Sequence, residues 1–546
     1  MSNQADKAMR LKQVYSELNR KFEEEETQRQ ALKLNLPYIN LYGYPTDTQA
    51  LNVLSKEDAQ THDAAVFFRE GRVLKLGVVK PSPSHQQLIK ELKELDYTAE
   101  IYLISHSSLQ HLFGGYNVLL STKQRSSEIK LISSDPRFKA ASIKEFGQQL
   151  SKVSATELID VLLGSALDLD SSDIHVEPEG ADLKIRFRID GVLQDVAALS
   201  LDTHHQMVSR IKILSKMKLN ITTTPQDGSF GLTFNQSQVD VRVSVLPSAY
   251  GESIVMRILR QDKGSLQFEE LGIVGLARER ILKEIEKPNG MILTTGPTGS
   301  GKTTTLYAIL KRLNEPGIKI ITLEDPVEYK IEGITQTPID TRAGMTFASG
   351  LRAIFRQDPD IIMVGEMRDL ETAETACQVA LTGHIVLSTL HTNDAPSAIP
   401  RLLDLGVKPF VLAPAINAII AQRLVRKICT ACKESYKPSG RLQERVEMIL
   451  KAVPKSAQAD IPSKLNFYHS PGCSVCKGLG YRGRMGVYEA FNISDEIEKM
   501  ITRGATTTEI RNQAISEGML TMAQDGLLKA LQGITDVEEV FRVTEE

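Results

Sequence analysis

The segment Gly296-Pro-Thr-Gly-Ser-Gly-Lys302-Thr303 constrains this chain more than any other stretch. It follows the apolar run MILT and precedes the helical TTTLYAILKRL, giving strand, glycine-rich loop and helix in that order. Glycines let backbone N–H groups turn inward around phosphate oxygens, and the following helix presents its positive end to them. Gly296, Pro297, Thr298, Gly299, Ser300 and Gly301 therefore form a nucleotide cradle, and Thr304 is grouped with them as a nucleotide-binding residue. Lys302 is placed to reach the β- and γ-phosphates, and the Thr303 hydroxyl to ligate Mg²⁺. No NKxD-type guanine signature is present, so ATP is the expected nucleotide.

Around this loop, from 265 to 425, helix and strand alternate as in a sheet wrapped by helices, with MILTTG, KIITLE, DIIMVG and HIVLSTL as core strands. Two of these strands end in acids. Asp360-Ile-Ile-Met-Val-Gly-Glu366 offers Glu366 to orient or deprotonate the attacking water, or to hold Mg²⁺ through water. ITLEDPVEY puts Glu324, Asp325 and Glu328 at a strand-to-loop edge. One such acid reads as a solvated strand end; two in one P-loop domain point to Glu366 and Glu324 serving the metal or the water. His391, in the polar cluster Thr389 to Asp394, stands where a γ-phosphate sensor belongs. His384, on the other flank of IVLSTL, reads equally well as a structural histidine.

Four of the five cysteines form two C-x-x-C pairs, Cys429/Cys432 and Cys473/Cys476. Two pairs complete a tetrahedral Cys₄ zinc site with no position left for water, so the Zn²⁺ is structural. A redox dithiol is the alternative that a single pair would suggest. Residues 433–472 must loop out between the pairs, with a helix in GRLQERVEMILKAV, and Cys377 reads as plain core.

The rest of the 546 residues divides into several units. Residues 1–33 are charged, with Leu11, Val14, Leu18 and Phe22 at helical spacing. Residues 34–116 mix strands (AAVFFRE, RVLKLGVV, AEIYLIS) with the helix HQQLIKELKEL in a small α+β partner-docking domain, and 117–147 read as a polar linker. A second α+β domain spans 148–262, with a helix at TELIDVLLGSALDL, strands about the turn Asp190-Gly191, helical SRIKILSKMKL and alternating QVDVRVSVLPSAYGESIVMRIL. The ATPase core at 265–425 is followed by the tetracysteine module at 426–480 and a helical region at 481–546. No apolar run reaches ~18 residues; Phe410 to Ala421 (FVLAPAINAIIA) reads as a buried helix. With a polar N-terminus and no signal sequence, a cytoplasmic protein is expected, reaching a membrane only through partners.

Together these residues resemble the secretion ATPase family that powers type II secretion and type IV pilus assembly. GPTGSGKT resembles its Walker A loop, ITLEDPVEY its aspartate box, LRAIFRQDPDIIMVGEMRD its Walker B and TGHIVLSTLHTNDA its histidine box. The likeness continues through SSDIHVEP, RFRIDGVL, PQDG, DVRVSVLPSAYGE, AQRLVRKICTAC and GYRGRMGVYE, covering roughly 150–546 closely and the first 145 residues loosely. The resemblance implies an α/β RecA-like ATPase core preceded by a PAS-like α+β domain. It implies a homohexamer with ATP between subunits, working on an inner-membrane platform protein at the cytoplasmic face. It also implies arginines that complete the site: Arg242 and Arg257 from the preceding domain, with Arg352, Arg356 and Arg368 in the core. Guanidinium groups stabilise spreading phosphoryl charge, although any one of these five reads as readily as a salt bridge. Retraction motors of the family are shorter and lack the four cysteines, so extension or secretion is favoured.

A RecA-like nucleic-acid motor for DNA uptake or conjugation is the alternative. It calls for basic and aromatic pore residues, whereas this chain has a net charge of -3 and no tryptophan, so no nucleic acid is expected. A cyclic-dinucleotide receptor in residues 1–145 lacks an arginine-rich repeated motif, which leaves docking to a membrane partner as the preferred role of that region.

Overall fold

The computed structural model describes residues 20–41, 48–51, 53–94, 96–123, 129–133, 135, 138, 142–150, 153, 155–180, 182–260, 267–462 and 465–544. The chain divides into two units, Met1–Ile129 and Lys130–Glu546.

In the first unit, strand Ala64–Glu70 pairs antiparallel with Val73–Val78, which runs parallel to Thr98–Leu103. Helix Pro83–Glu94 makes the crossover and buries Leu88 and Leu92, as the spacing of HQQLIKELKEL predicts. The helix at residues 20–34 differs from its sequence reading: Leu11, Val14 and Leu18 lie outside the described residues, and Phe22 is 68% exposed. Its buried face is Glu24, Thr27 and Ala31. Glu24 accepts from Tyr38 (2.7 Å), Ser105 (2.6 Å) and Ser108 (3.1 Å), and Glu23 accepts from the Ser107 amide and hydroxyl. Both carboxylates sit at the start of helix His106–Lys123, where unpaired amides and the helix dipole favour negative charge. Electrostatic capping thus fastens this helix. The stretch read as a polar linker at 117–147 is helical at both ends, in His106–Lys123 and Ile143–Leu150.

The second unit holds two large sheets. Six strands of the first are antiparallel in the order Gln226–Phe234, Ser237–Ser248, Gly251–Arg260, Ser171–Glu179, Asp182–Ile189 and Val192–Ser200. Alternation places Ile174, Val176, Leu183, Ile185 and Phe187 inward, beneath helices Ala155–Asp168 and Asp202–Leu214. The opposite face carries charge, including Asp173, His175, Glu177, Arg186, Arg188 and Arg257. The SSDIHVEP and PQDG segments contribute to strands Ser171–Glu179 and Gln226–Phe234.

The other sheet contains β1 (Gly290–Thr295), β2 (Ile320–Glu324), β3 (Thr335–Pro338), β4 (Ile361–Val364), β5 (Ile385–Leu390), β6 (Ile416–Ile428) and β7 (Tyr481–Asn492), in the order β3-β2-β4-β5-β1-β6-β7. All neighbours are parallel except β7, which runs antiparallel to β6. Strands β1, β2, β4 and β5 are buried at every residue, so their continuous apolar runs have helices on both faces. One face packs against helices Phe347–Phe355, Leu370–Leu381 and Pro409–Ala415; the other packs against Gly275–Ile285 and α1 (Lys302–Leu313).

The run Phe410 to Ala421 is a correction. It is half helix and half strand: the helix ends at Ala415, and Ile416 begins β6. Apolar composition alone cannot separate a buried helix from a buried strand. Among the described residues, no helix is long and apolar enough to cross a membrane.

Candidate active site

The phosphate loop leaves the carboxyl end of β1 and enters α1 at Lys302. Gly296 has φ 147°, and a Cβ there would lie 2.6 Å from Ser300 Oγ and 2.7 Å from the Gln422 carbonyl oxygen. Gly301 turns into α1 with φ 89°, a left-handed conformation that suits glycine. Beside the loop, β6 pairs with β1, and Gln422 donates from Nε2 to the Ser300 carbonyl (2.7 Å). No sequence signal marks Gln422 for this contact, which depends on the register between β1 and β6.

Lys302 is 9% exposed and donates from Nζ to the carbonyls of Gly296 (2.8 Å) and Pro297 (3.1 Å). Burial pulls its ammonium down to about 8, against the attraction of Glu366. Pro297, Thr298 and Gly299 are exposed, while Thr303 and Thr304 are half-buried at the first turn of α1.

Glu366 lies two residues beyond β4 and pairs with Arg368, with His391 Nε2 at 3.7 Å. His391 is held below its ordinary value by burial and by Lys302, so it is neutral at pH 7. Lys302, Glu366, Arg368 and His391 thus form one electrostatic group at the carboxyl edge of the sheet.

Glu324 stands apart from that group. Its carboxylate is 3% exposed and accepts from Tyr307 of α1, from Thr322 (2.5 Å) and from Gln336 (3.1 Å). Tyr307 and Tyr329 meet edge to face beside it, at 4.7 Å. Asp325 is exposed, and Glu328 reaches Arg242 at 3.9 Å. Arg242 and Arg257 are register partners on adjacent strands, a juxtaposition that sequence alone does not reveal. Arg257 is anchored through Nε to the buried carboxylate of Asp173 (3.0 Å).

Three further candidates are not brought to the loop. Arg352 pairs with Glu371, and Arg356 bonds the Arg352 carbonyl (3.1 Å). His384 precedes β5, so it lies at the opposite end of that strand from His391, a separation of about 20 Å. Its ring lies against Phe355, at 5.4 Å, with Nδ1 3.3 Å from the Val379 carbonyl oxygen.

The cysteines meet at the far end of the β6–β7 pair. Pairing runs from Ala418↔Asn492 to Ile428↔Tyr481, which brings Cys429 beside Gly480, whose carbonyl accepts the Cys429 amide (2.9 Å). All four thiols lie within 4.8 Å of one another, with Sγ separations of 3.9 Å (Cys429–Cys473), 4.0 Å (Cys432–Cys476) and 3.9 Å (Cys473–Cys476). A tetrahedron with metal–sulfur bonds of ~2.3 Å has edges of ~3.8 Å, so the four sulfurs fit one zinc-sized ion. Amides of Cys473 and Gly480 point at Cys476 Sγ, at 3.1 and 3.3 Å. The intervening segment folds as strands Glu434–Tyr436 and Phe467–His469 with helix Arg441–Lys451. Cys377 is fully buried in helix Leu370–Leu381.

A phosphate loop on a parallel, helix-covered sheet, with acid and histidine at adjoining strand ends, defines a P-loop ATPase of mixed α/β fold. Residues 148–542 match the family described as "Type II/IV secretion system protein", and the chain belongs to that family. It is 45% identical over 389 residues to "Type II secretion system protein E" of Pseudomonas aeruginosa, covering 71% of this chain and 75% of that one. It is 36% identical over 514 residues to "Type IV pilus assembly ATPase PilB" of Myxococcus xanthus, covering 92% of this chain and 88% of that one. Among solved structures, the Legionella pneumophila ATPase DotB shares the fold, with a TM-score of 0.52, 20% identity and coverage of 70% of this chain and 94% of that one. The chain is thus an ATP-hydrolysing enzyme of the secretion and pilus-assembly class. These relatives lend no support to the nucleic-acid motor.

Proposed function

We propose that this chain is the subunit of a homohexameric motor that spends ATP on type IV pilus assembly. One observation favours assembly of pili over export: the Myxococcus xanthus PilB aligns over 92% of the chain, into the first unit, whereas the secretion protein aligns over 71%. In this reading, Lys302 and the Gly296–Gly301 loop hold the triphosphate, and Thr303 holds Mg²⁺. Glu366 orients or deprotonates the water, and His391 senses the γ-phosphate. Arg242 and Arg257 complete the ATP site, and Asp173 supports the second of them by fixing Nε and leaving the fork free. Glu324 supports the site from beneath, by holding Tyr307 of α1. The motor works from the cytoplasmic face on an inner-membrane platform protein, and the first unit docks on that machine.

Loss of the gene in its host should abolish surface pili and leave exported enzymes at their normal level. The reverse pattern would assign the motor to secretion. We also assign Zn²⁺ to Cys429, Cys432, Cys473 and Cys476 as a structural ion. One equivalent of zinc per chain should be measured, and its removal by chelator should lower the melting temperature; unchanged stability after metal loss would remove the assignment.

A further inference from the structure

The loop that leaves β5 after His391 is fastened on two sides. Towards the phosphate loop, the Thr392 amide donates to Thr295 Oγ1 (2.9 Å), and the two threonine hydroxyls lie 2.7 Å apart. Thr295 immediately precedes Gly296, so this contact ties the histidine-bearing loop to the base of the cradle.

On its other side, the loop is held by residues roughly 100 positions further along. The Ala395 amide donates to Glu489 Oε1 (2.9 Å), and Arg511 pairs with Asp394. The second Asp394 oxygen accepts the Ser397 amide (2.8 Å), so one carboxylate both caps the turn and receives the guanidinium. Glu489 lies on β7 and is 2% exposed; Arg511 projects from helix Thr507–Ser516. Burial pushes the Glu489 carboxyl up to about 7, opposed by the Ala395 amide. An acid in such a place is costly unless its hydrogen bonds are used, and it accepts from the Ala395 amide of this loop as well as from the Met522 amide.

We propose that Arg511, acting through Asp394, is a positioning residue that, together with Glu489, sets the His391 loop against the phosphate loop and so couples the C-terminal helices to ATP turnover. The proposal rests on His391 acting at the γ-phosphate. The chain from helix to nucleotide runs Arg511, Asp394, His391–Thr392, Thr295, Gly296, each link a contact or a chain neighbour. A displacement of the Thr507–Ser516 helix moves the sensing histidine without touching Lys302, whose own bonds are to Gly296 and Pro297.

The test uses the full-length protein and steady-state ATP hydrolysis. Arg511→Gln should lower kcat about tenfold, because misplacing a reacting group by a fraction of an ångström has effects of that order. Nucleotide affinity should stay within about twofold, and Arg511→Lys should recover most of the rate. Asp394→Asn keeps an acceptor for Ser397; combined with Arg511→Gln, it should be no slower than the worse single variant, as expected of residues acting as a pair.

The proposal is overturned if Arg511→Gln turns over within about twofold of the native rate, or if the two single losses multiply in the double variant. It is also overturned if affinity falls as far as kcat, or if a lowered melting temperature in Arg511→Gln is not restored by lysine. His391→Ala is measured alongside. If that variant hydrolyses ATP normally, the sensor reading itself fails. If it is slow while Arg511→Gln is not, the coupling alone fails.

Discussion

Glu324 and Glu366 belong to adjacent parallel strands of one sheet, at the same edge, and have the same chemistry. Their surroundings nevertheless diverge. Glu324 is the last residue of β2 and is turned into the layer beneath, where two hydroxyls and an amide occupy it. Glu366 has passed the end of β4, beyond Gly365, whose amide bonds the Leu323 carbonyl (2.8 Å), and its neighbours are Lys302, Arg368 and His391. Being acidic at a strand end is therefore not enough to place a carboxylate beside Lys302. The β2–β4 register puts Glu324 level with Gly365, so Glu366 stands one residue further along, and successive side chains of extended chain point to opposite faces.

The largest effect that would test this contrast is on turnover. Glu366→Gln should bind ATP within about twofold of the native protein yet lose ~10²-fold or more in kcat. Glu324→Gln should keep kcat within ~10-fold and instead lose ~1–3 kcal/mol of stability, because its hydrogen-bonding partners are set for a carboxylate. Equal losses of turnover in the two variants, with unchanged melting temperatures, would erase the distinction.

A second effect concerns pH. The Lys302 ammonium binds phosphate only when charged, and in the nucleotide-free protein burial pulls it down to about 8. Nucleotide affinity should therefore weaken as pH rises above 8, by up to ~10-fold per unit, with proton uptake on binding measurable by calorimetry in buffers of different ionisation enthalpy. Glu366 favours the charged form, so Glu366→Gln should shift this loss to lower pH, whereas Glu324→Gln should leave it in place. A matching shift in both would show that the two acids share one field.

The smallest effect is expected from Tyr307→Phe, which removes a donor to Glu324 from α1. It should lower stability by about 1 kcal/mol, with turnover altered less than twofold. A large drop in kcat would put Tyr307 and Glu324 among the groups that act on the nucleotide.

Much of the fold was legible because its signals are local. The phosphate loop, the four core strands and the paired cysteines each occupy a few consecutive residues. The sequence could not distinguish the environments of Glu324 and Glu366, since that depends on which layer a side chain enters at a strand end. Nor could it pair Arg242 with Arg257, Glu489 with Ala395, or Gln422 with Ser300, because each needs a sheet register set by distant segments. The Phe410–Ala421 run misled for another reason. A helix joined without a loop to a buried strand has one uniform apolar composition, and only backbone pairing marks the change at Ile416.

Strand β6 runs past Gln422, against the phosphate loop, to Ile428, the residue before Cys429, and β7 accompanies it in register for most of that length. An antiparallel pair cannot slip by one residue without turning every buried side chain to the other face. The seven residues from Gln422 to Ile428, six rises of the strand, therefore behave as a stiff arm of about 20 Å. Near its far end, the Gly483 amide holds Asp190 of the other sheet (2.9 Å). A tilt imposed at the nucleotide end reappears there as a displacement magnified by the arm's length, delivered to the hairpin that carries Asp190.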